Sequence, residues 1–158
     1  MAEQIVLTIG DKQWQASLVS SSWELSQGLG GIAELPQDTG MLFDLGSERY
    51  IQVTTEPMLF PIDIAFFNDG LVVTEVYRDI GPGYLIVSGN PARYFFEVNA
   101  GELEGVEPGD IASVAYLSTE QEPLVIDSEL SSIIALTGLL MIGGFMVGLT
   151  KNVAPGVG

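Results

Sequence analysis

Two carboxylates stand where a strand would otherwise be apolar. Asp63 interrupts Ile62–Phe67, and Glu97 interrupts the aromatic stretch that begins at Arg93 and ends at Asn99. If the two strands pair and bring these groups together, one pKa rises and the pair becomes a general acid and base. The alternative is that each faces solvent, caps a nearby turn, or meets Arg78 or Arg93. Perturbed carboxylates mark sites only statistically, so the structural alternative is the expectation. Asp63 and Glu97 stand as the two catalytic candidates of a chain read as a non-enzyme, with a carboxylate-based hydrolase as the alternative.

The sequence has no histidine and no cysteine. That removes Ser-His-Asp triads, thiolate nucleophiles, disulfides and Cys/His zinc or haem sites. Lys12 lies in an apparent turn and Lys151 follows an apolar run, so neither reads as a buried partner for a serine. Glu102, Glu104, Glu107 and Asp110 offer oxygen ligands for Ca²⁺, but their spacing does not follow an EF-hand loop. They read as a solvated acidic loop, and no metal or cofactor is expected. Tyr94, Phe95 and Phe96, with Phe66 and Phe67, would make a sugar platform if exposed; at strand spacing they read as core. Trp14 and Trp23 read the same way.

These groups sit in an acidic setting. Of 158 residues, 21 are Asp or Glu and five are Lys or Arg, a formal charge of −16. A phosphate-backbone binder needs clustered bases, so nucleic acid is not an expected partner. Residues 1–130 hold every acid and all the bases except Lys151. The remainder is almost uncharged and contains Ile133 to Leu149 with nothing ionisable. At about 1.5 Å per residue, a helix over 131–150 approaches the roughly 30 Å of a hydrocarbon core. The expectation is an apolar transmembrane or assembly-packed helix over 131–150, preceded by an acidic linker (119–130) and followed by a short tail (151–158). Gly138, Gly143, Gly144 and Gly148 would be its packing positions, Gly144 and Gly148 forming a G-x-x-x-G match. The start at Met1-Ala2-Glu3-Gln4 lacks the basic region of a signal peptide, which suggests a tail anchor.

Residues 1–118 read as a β-rich domain. Ile5, Leu7 and Ile9 alternate with Val6 and Thr8, Gly10-Asp11-Lys12 turns, and Trp14, Ala16 and Leu18 return. Ser21-Ser22-Trp23-Glu24 is a capping-box pattern ahead of Leu25, Leu29 and Ile32, which predicts one short helix. Strands follow at 41–45 and 50–55. Ile62 to Phe67 and Leu71 to Arg78 flank Asn68-Asp69-Gly70, a hairpin signature. Further strands are expected at 84–88, 93–99 and 111–117. About eight strands and one helix suggest a small antiparallel barrel or sandwich.

The order of these segments is itself informative. Gly28-Leu29, Gly40-Met41-Leu42-Phe43, Pro61 to Phe67 and Asn68-Asp69-Gly70 are followed by Phe96-Glu97-Val98-Asn99-Ala100-Gly101 and Val106-Glu107-Pro108-Gly109-Asp110. From about Glu24 to about Leu117 the chain resembles the small β-rich family catalogued as domain-of-unknown-function family 192. The resemblance implies a compact barrel-like fold with no established activity, often exported or membrane-tethered. Relatives carry an aromatic-Met-Lys-Asn-Thr stretch before their Pro-x-Asp motif; here those positions are Thr54, Thr55, Glu56, Pro57 and Met58. Gly-Leu-Met on the helix becomes Gly28-Leu29-Gly30. A ligand site built on that stretch in relatives is expected to be altered or lost here.

The functional expectation is a non-catalytic binding or scaffold module, held through 131–150 at a membrane or in a multimeric assembly. Its partners would be lipid, copies of itself or other subunits. The alternatives are a structural subunit of a virion or other large particle, and a hydrolase or small-ligand barrel.

Overall fold

A computed structural model of the chain describes residues 2–117 and the backbones of 139–142 and 145–148, apart from the side chains of Ser22 and Trp23. The chain divides into two units, Met1–Ser118 and Thr119–Gly158.

In the first unit, β1 (Glu3–Ile9) and β2 (Lys12–Val19) form the expected hairpin, with Ile5 opposite Ala16 and Leu7 opposite Trp14. α1 (Ser22–Gln27) starts where Ser21 accepts the Glu24 amide, and the Gly28 amide closes its end on the Glu24 carbonyl. This crossover lets β3 (Thr39–Arg49) pair parallel to β2, since a parallel neighbour needs a connection of a dozen or more residues. β4 (Gln52–Thr54) leaves the sheet. β5 (Ile62–Phe67), β6 (Val73–Ile80), β7 (Leu85–Val87), β8 (Ala92–Asn99) and β9 (Ala112–Tyr116) complete the unit.

Seven strands join in the order β6-β5-β8-β3-β2-β1-β9, while β4 and β7 pair separately as a two-stranded ribbon. The fold is mainly β with one short helix, as expected, but the sheet is mixed and it is not a closed barrel. The sheet curls until its two ends meet at a single bridge, Val72 to Ile111. There the Val73 amide reaches the Asp110 carbonyl at 2.8 Å, and the Ala112 amide reaches the Leu71 carbonyl at 2.9 Å. The Gly109 amide adds a bond to the Val73 carbonyl at 2.8 Å, but β6 and β9 form no ladder.

Two cores result. Trp14, Leu42, Ala65, Phe67, Phe96 and Val98 fill the concave face of the curl, and Leu103 and Val106 plug it. On the other face Phe43, Ile62, Ile64, Phe66 and Phe95 pack under Leu29, Ile51, Val53 and Met58. β5 is therefore buried on both sides along its whole length. Gly40 shows how tight the concave core is: a Cβ there would lie 2.4 Å from the Phe96 ring and 2.8 Å from the Glu97 carbonyl oxygen.

The second unit departs from expectation. Leu139–Ile142 (β10) and Phe145–Gly148 (β11) pair antiparallel, Ile142 opposite Phe145 and Leu139 opposite Gly148. The helix expected over 131–150 is thus replaced by strands wherever that segment is described. Gly143-Gly144 separates two four-residue apolar runs in the sequence, a dipeptide suited to two-residue hairpin loops. No helix among the described residues is long and apolar enough to cross a membrane. Of the four glycines expected to pack that helix, Gly148 ends β11, while Gly138, Gly143 and Gly144 lie outside the described residues, as do 119–138 and 151–158.

Candidate functional site

β5 and β8 do pair, but with Asp63 opposite Val98 and Glu97 opposite Ile64. Side chains alternate faces along a strand, so this one-residue offset sends the two carboxylates to opposite sides of the sheet. They form no acid–base pair. Their environments differ completely.

Asp63 is fully buried on the concave side. Its Oδ1 accepts the Asp79 amide at 2.8 Å, and its Oδ2 accepts the Gly101 and Leu103 amides at 2.9 and 3.0 Å. Three backbone donors satisfy it, so it is a cap, as the structural alternative expects. It fastens the turn after β8 and the end of β6 to β5.

Glu97 neither faces solvent nor caps anything. It is 5% exposed, and no protein group donates a hydrogen bond to its carboxyl among the described residues. Across the sheet it meets Met41 of β3 and Ile64 of β5, both apolar. Burial alone pushes its pKa up from 4.5 to about 8, with no bond or charge to offset it. No fully enclosed side-chain nitrogen or oxygen among the described residues lacks a partner. The Glu97 carboxyl escapes that condition by opening on a cavity.

That cavity, of about 190 Å³, lies between the sheet and the layer above it. Phe43 and Phe95 form part of its floor beside Glu97, their rings stacked with centroids 4.2 Å apart and 3° between planes. Residues 25–30 at the end of α1 make one wall, and Gln52, Val53 and Thr54 of β4 make another. Pro57 and Met58 complete the lining. A Cβ on Gly30 would sit 3.0 Å from the Pro57 ring, so glycine there lets the helix turn and this segment close over the site. Glu97 is the one ionisable side chain in the lining; Ser26, Gln27, Gln52 and Thr54 supply the other polar groups.

Thr54, Pro57 and Met58 belong to the stretch that the family resemblance expects to be altered, and here they line the cavity. Thr55 turns away: its hydroxyl donates to the Gly81 carbonyl at 2.8 Å and accepts the Tyr84 amide at 2.9 Å. Gln27 and Gln52 carry no sequence signal that would single them out, because only tertiary packing brings the α1 terminus over β4.

The other candidate groups are absorbed into structure. Glu102 accepts from Trp14 Nε1 at 2.9 Å, Asn99 Nδ2 at 3.0 Å and the Asp38 amide at 3.2 Å. Glu107 pairs with Arg78 at 3.2 Å, Asp110 accepts the Glu107 amide, and Glu104 is exposed. Among the described residues no three carboxylates converge as metal ligands would. Phe66, Phe67 and Phe96 are fully buried, Trp14 packs edge-on to Phe96 at 5.5 Å, and Tyr94 lies under the Arg93 guanidinium. The Trp23 side chain lies outside the described residues.

A curled, mostly antiparallel sheet with a short helix and a ribbon closing one pocket defines the class: a small β domain with a single buried acid at a cavity. The family profile of DUF192, described as an uncharacterised ACR family, matches residues 5–114, and the chain belongs to that family. The match takes in β1 and β2 as well as the segments recognised from Glu24 onward. Two solved structures are similar. One, from Sinorhizobium meliloti, is provisionally described as a transcription regulator; it is 26% identical with a TM-score of 0.66, over 72% of this chain and 94% of that one. The other is a protein of unknown function from Novosphingobium aromaticivorans, 22% identical with a TM-score of 0.64, over 70% and 83% of the two chains. No curated protein matches.

Proposed function

We propose that the domain is a non-catalytic binding module whose ligand site is the cavity at Glu97. The observation that carries this reading is a buried carboxyl with no protein hydrogen bond among the described residues, opening on a partly open pocket. Leaving such a group unpaired costs about 1–3 kcal/mol or more, a penalty that a ligand donor would remove. Pockets of this kind, apolar with a few convergent polar groups, are the usual form of small-molecule sites. Hydrolysis by paired carboxylates is less well supported, since Asp63 and Glu97 emerge on opposite faces. The regulator description of the Sinorhizobium protein is not carried over, because five bases against 21 acids give this chain no surface for a phosphate backbone.

The test is an amide-resolved NMR titration of the full chain with ring-sized fragments of positive, neutral and negative charge. Shifts gathered on residues 27–30, 52–54 and 95–97 are expected. Thr54→Trp, at the exposed rim of the cavity, should abolish them. Fragments that shift other regions only, or shift the Thr54→Trp variant equally, would refute the proposal.

A further inference from the structure

The contents of the cavity say more than that something binds there. We infer that the ligand is a small organic monocation, an amine or amidine on a short apolar body, whose charged head pairs with Glu97 while its body lies against the Phe43 and Phe95 wall. This rests on the binding-module reading and adds the ligand's chemistry.

Three observations converge on positive charge. Glu97 is the only ionisable group in the lining, and no lysine or arginine lines the cavity to compete for it or to receive an anion. Every residue facing it across the sheet or down from α1, β4 and the 57–58 segment is uncharged. Phe43 and Phe95 line the cavity as a parallel stacked pair and give it an apolar wall for the ligand's body. The chain's charge of −16 also draws cations toward it and repels acids. Size sets the body. An apolar cavity of about 150 Å³ accommodates benzene, so about 190 Å³ here accepts one ring, or an equivalent branched alkyl group, plus a head of one or two atoms.

The pairing has a proton balance. Glu97 carries its proton in the empty site at neutral pH, because burial holds its pKa at about 8. A cation that arrives already protonated stabilises the carboxylate, and the Glu97 proton leaves to solvent. Binding is thus an exchange of a proton for an organic cation. At pH 7 close to one proton, about 0.9, is released per ligand, and affinity rises about tenfold per pH unit until pH 8, then levels.

Benzylamine, benzyl alcohol and benzoate test this at nearly constant shape. Titration calorimetry of the full chain at pH 7, in two buffers of different ionisation enthalpy, should show benzylamine binding at least tenfold more tightly than either analogue, with a proton released. Glu97→Gln keeps the side-chain shape and should weaken benzylamine at least tenfold while leaving benzyl alcohol within threefold; the amide spectrum reports that the variant is folded. Benzyl alcohol or benzoate binding in the cavity as tightly as benzylamine, or benzylamine binding without proton release, would overturn the cation and leave the binding site standing. If none of the three shifts an amide lining the cavity, both readings fall together.

Discussion

The Asp63 carboxylate receives the Leu103 amide at 3.0 Å across 40 positions of chain, and the same oxygen holds the Gly101 amide at 2.9 Å. One side chain on the doubly buried strand β5 thereby fixes the turn that delivers Leu103 into the concave core. Asp63→Ala strands these amides and the Asp79 amide without acceptors. A loss of about 3–4 kcal/mol in urea denaturation is expected, since hydrogen bonds to charged groups contribute about 1.5–3 kcal/mol and their loss leaves buried donors unmet. Fragment binding at the Glu97 cavity should persist in whatever fraction stays folded, because Asp63 lies on the other face.

Glu97 predicts an inverse pH profile. Its folded pKa, about 8, lies above its unfolded value near 4.5, so the unfolded chain releases this proton first as pH rises. Stability contributed by the protonated form is fully present below about pH 4.5 and falls through about pH 8. Glu97→Gln should remove that decline and raise stability at pH 8 by an amount on the order of 2–4 kcal/mol. Thermal unfolding of both proteins between pH 5 and 9 measures it.

Arg93 and Asp44 give the opposite sign. The guanidinium bonds both Asp44 oxygens, at 2.9 and 3.0 Å, and holds the carboxyl below its usual 3.8. The pair's contribution is present above about pH 4 and is lost as pH falls through the lowered value. It is partly exposed, so Arg93→Met should lower stability modestly at pH 7 and by less at pH 3, where Asp44 begins to take up its proton. Denaturant titrations at the two pH values separate the outcomes.

Gly40→Ala should destabilise by about 1–3 kcal/mol, because its methyl would overlap both the fully buried Phe96 ring and the Glu97 backbone carbonyl. Equilibrium unfolding checks this. A companion Gly10→Ala tests a different cause: its φ of +61° strains any side chain, yet a Cβ there meets nothing within 4 Å, so about 1 kcal/mol is expected.

Local pattern made much of the domain legible. Alternation at Ile5–Ile9 and Trp14–Leu18 revealed the first hairpin, Ser21 and Glu24 the helix start, and Asn68-Asp69-Gly70 the turn before β6. The parallel β2–β3 pairing was not legible, because it joins residues more than 20 apart with no shared turn to announce it. The same applies to the site. Glu97 was visible as an acid in an apolar strand, but its isolation from Asp63 depends on a one-residue register between β5 and β8. The apolar stretch after 131 misled for another reason: length argued for a helix, while Gly143-Gly144 carried the hairpin signal within it.

Strand order has a consequence for how the domain comes into being. β1, the first strand of the sheet to be made, lies between β2 and β9, the last. Until Tyr116 emerges, β1 keeps an open edge, and the Val72–Ile111 bridge that draws the sheet's ends together has no second half. The concave core therefore stays uncovered until the last strand of this sheet is made. Pairings of such long sequence separation fold slowly, so a chain stalled or cut before Tyr116 presents both an unpaired edge and an exposed apolar face, the combination that chaperones and proteases recognise.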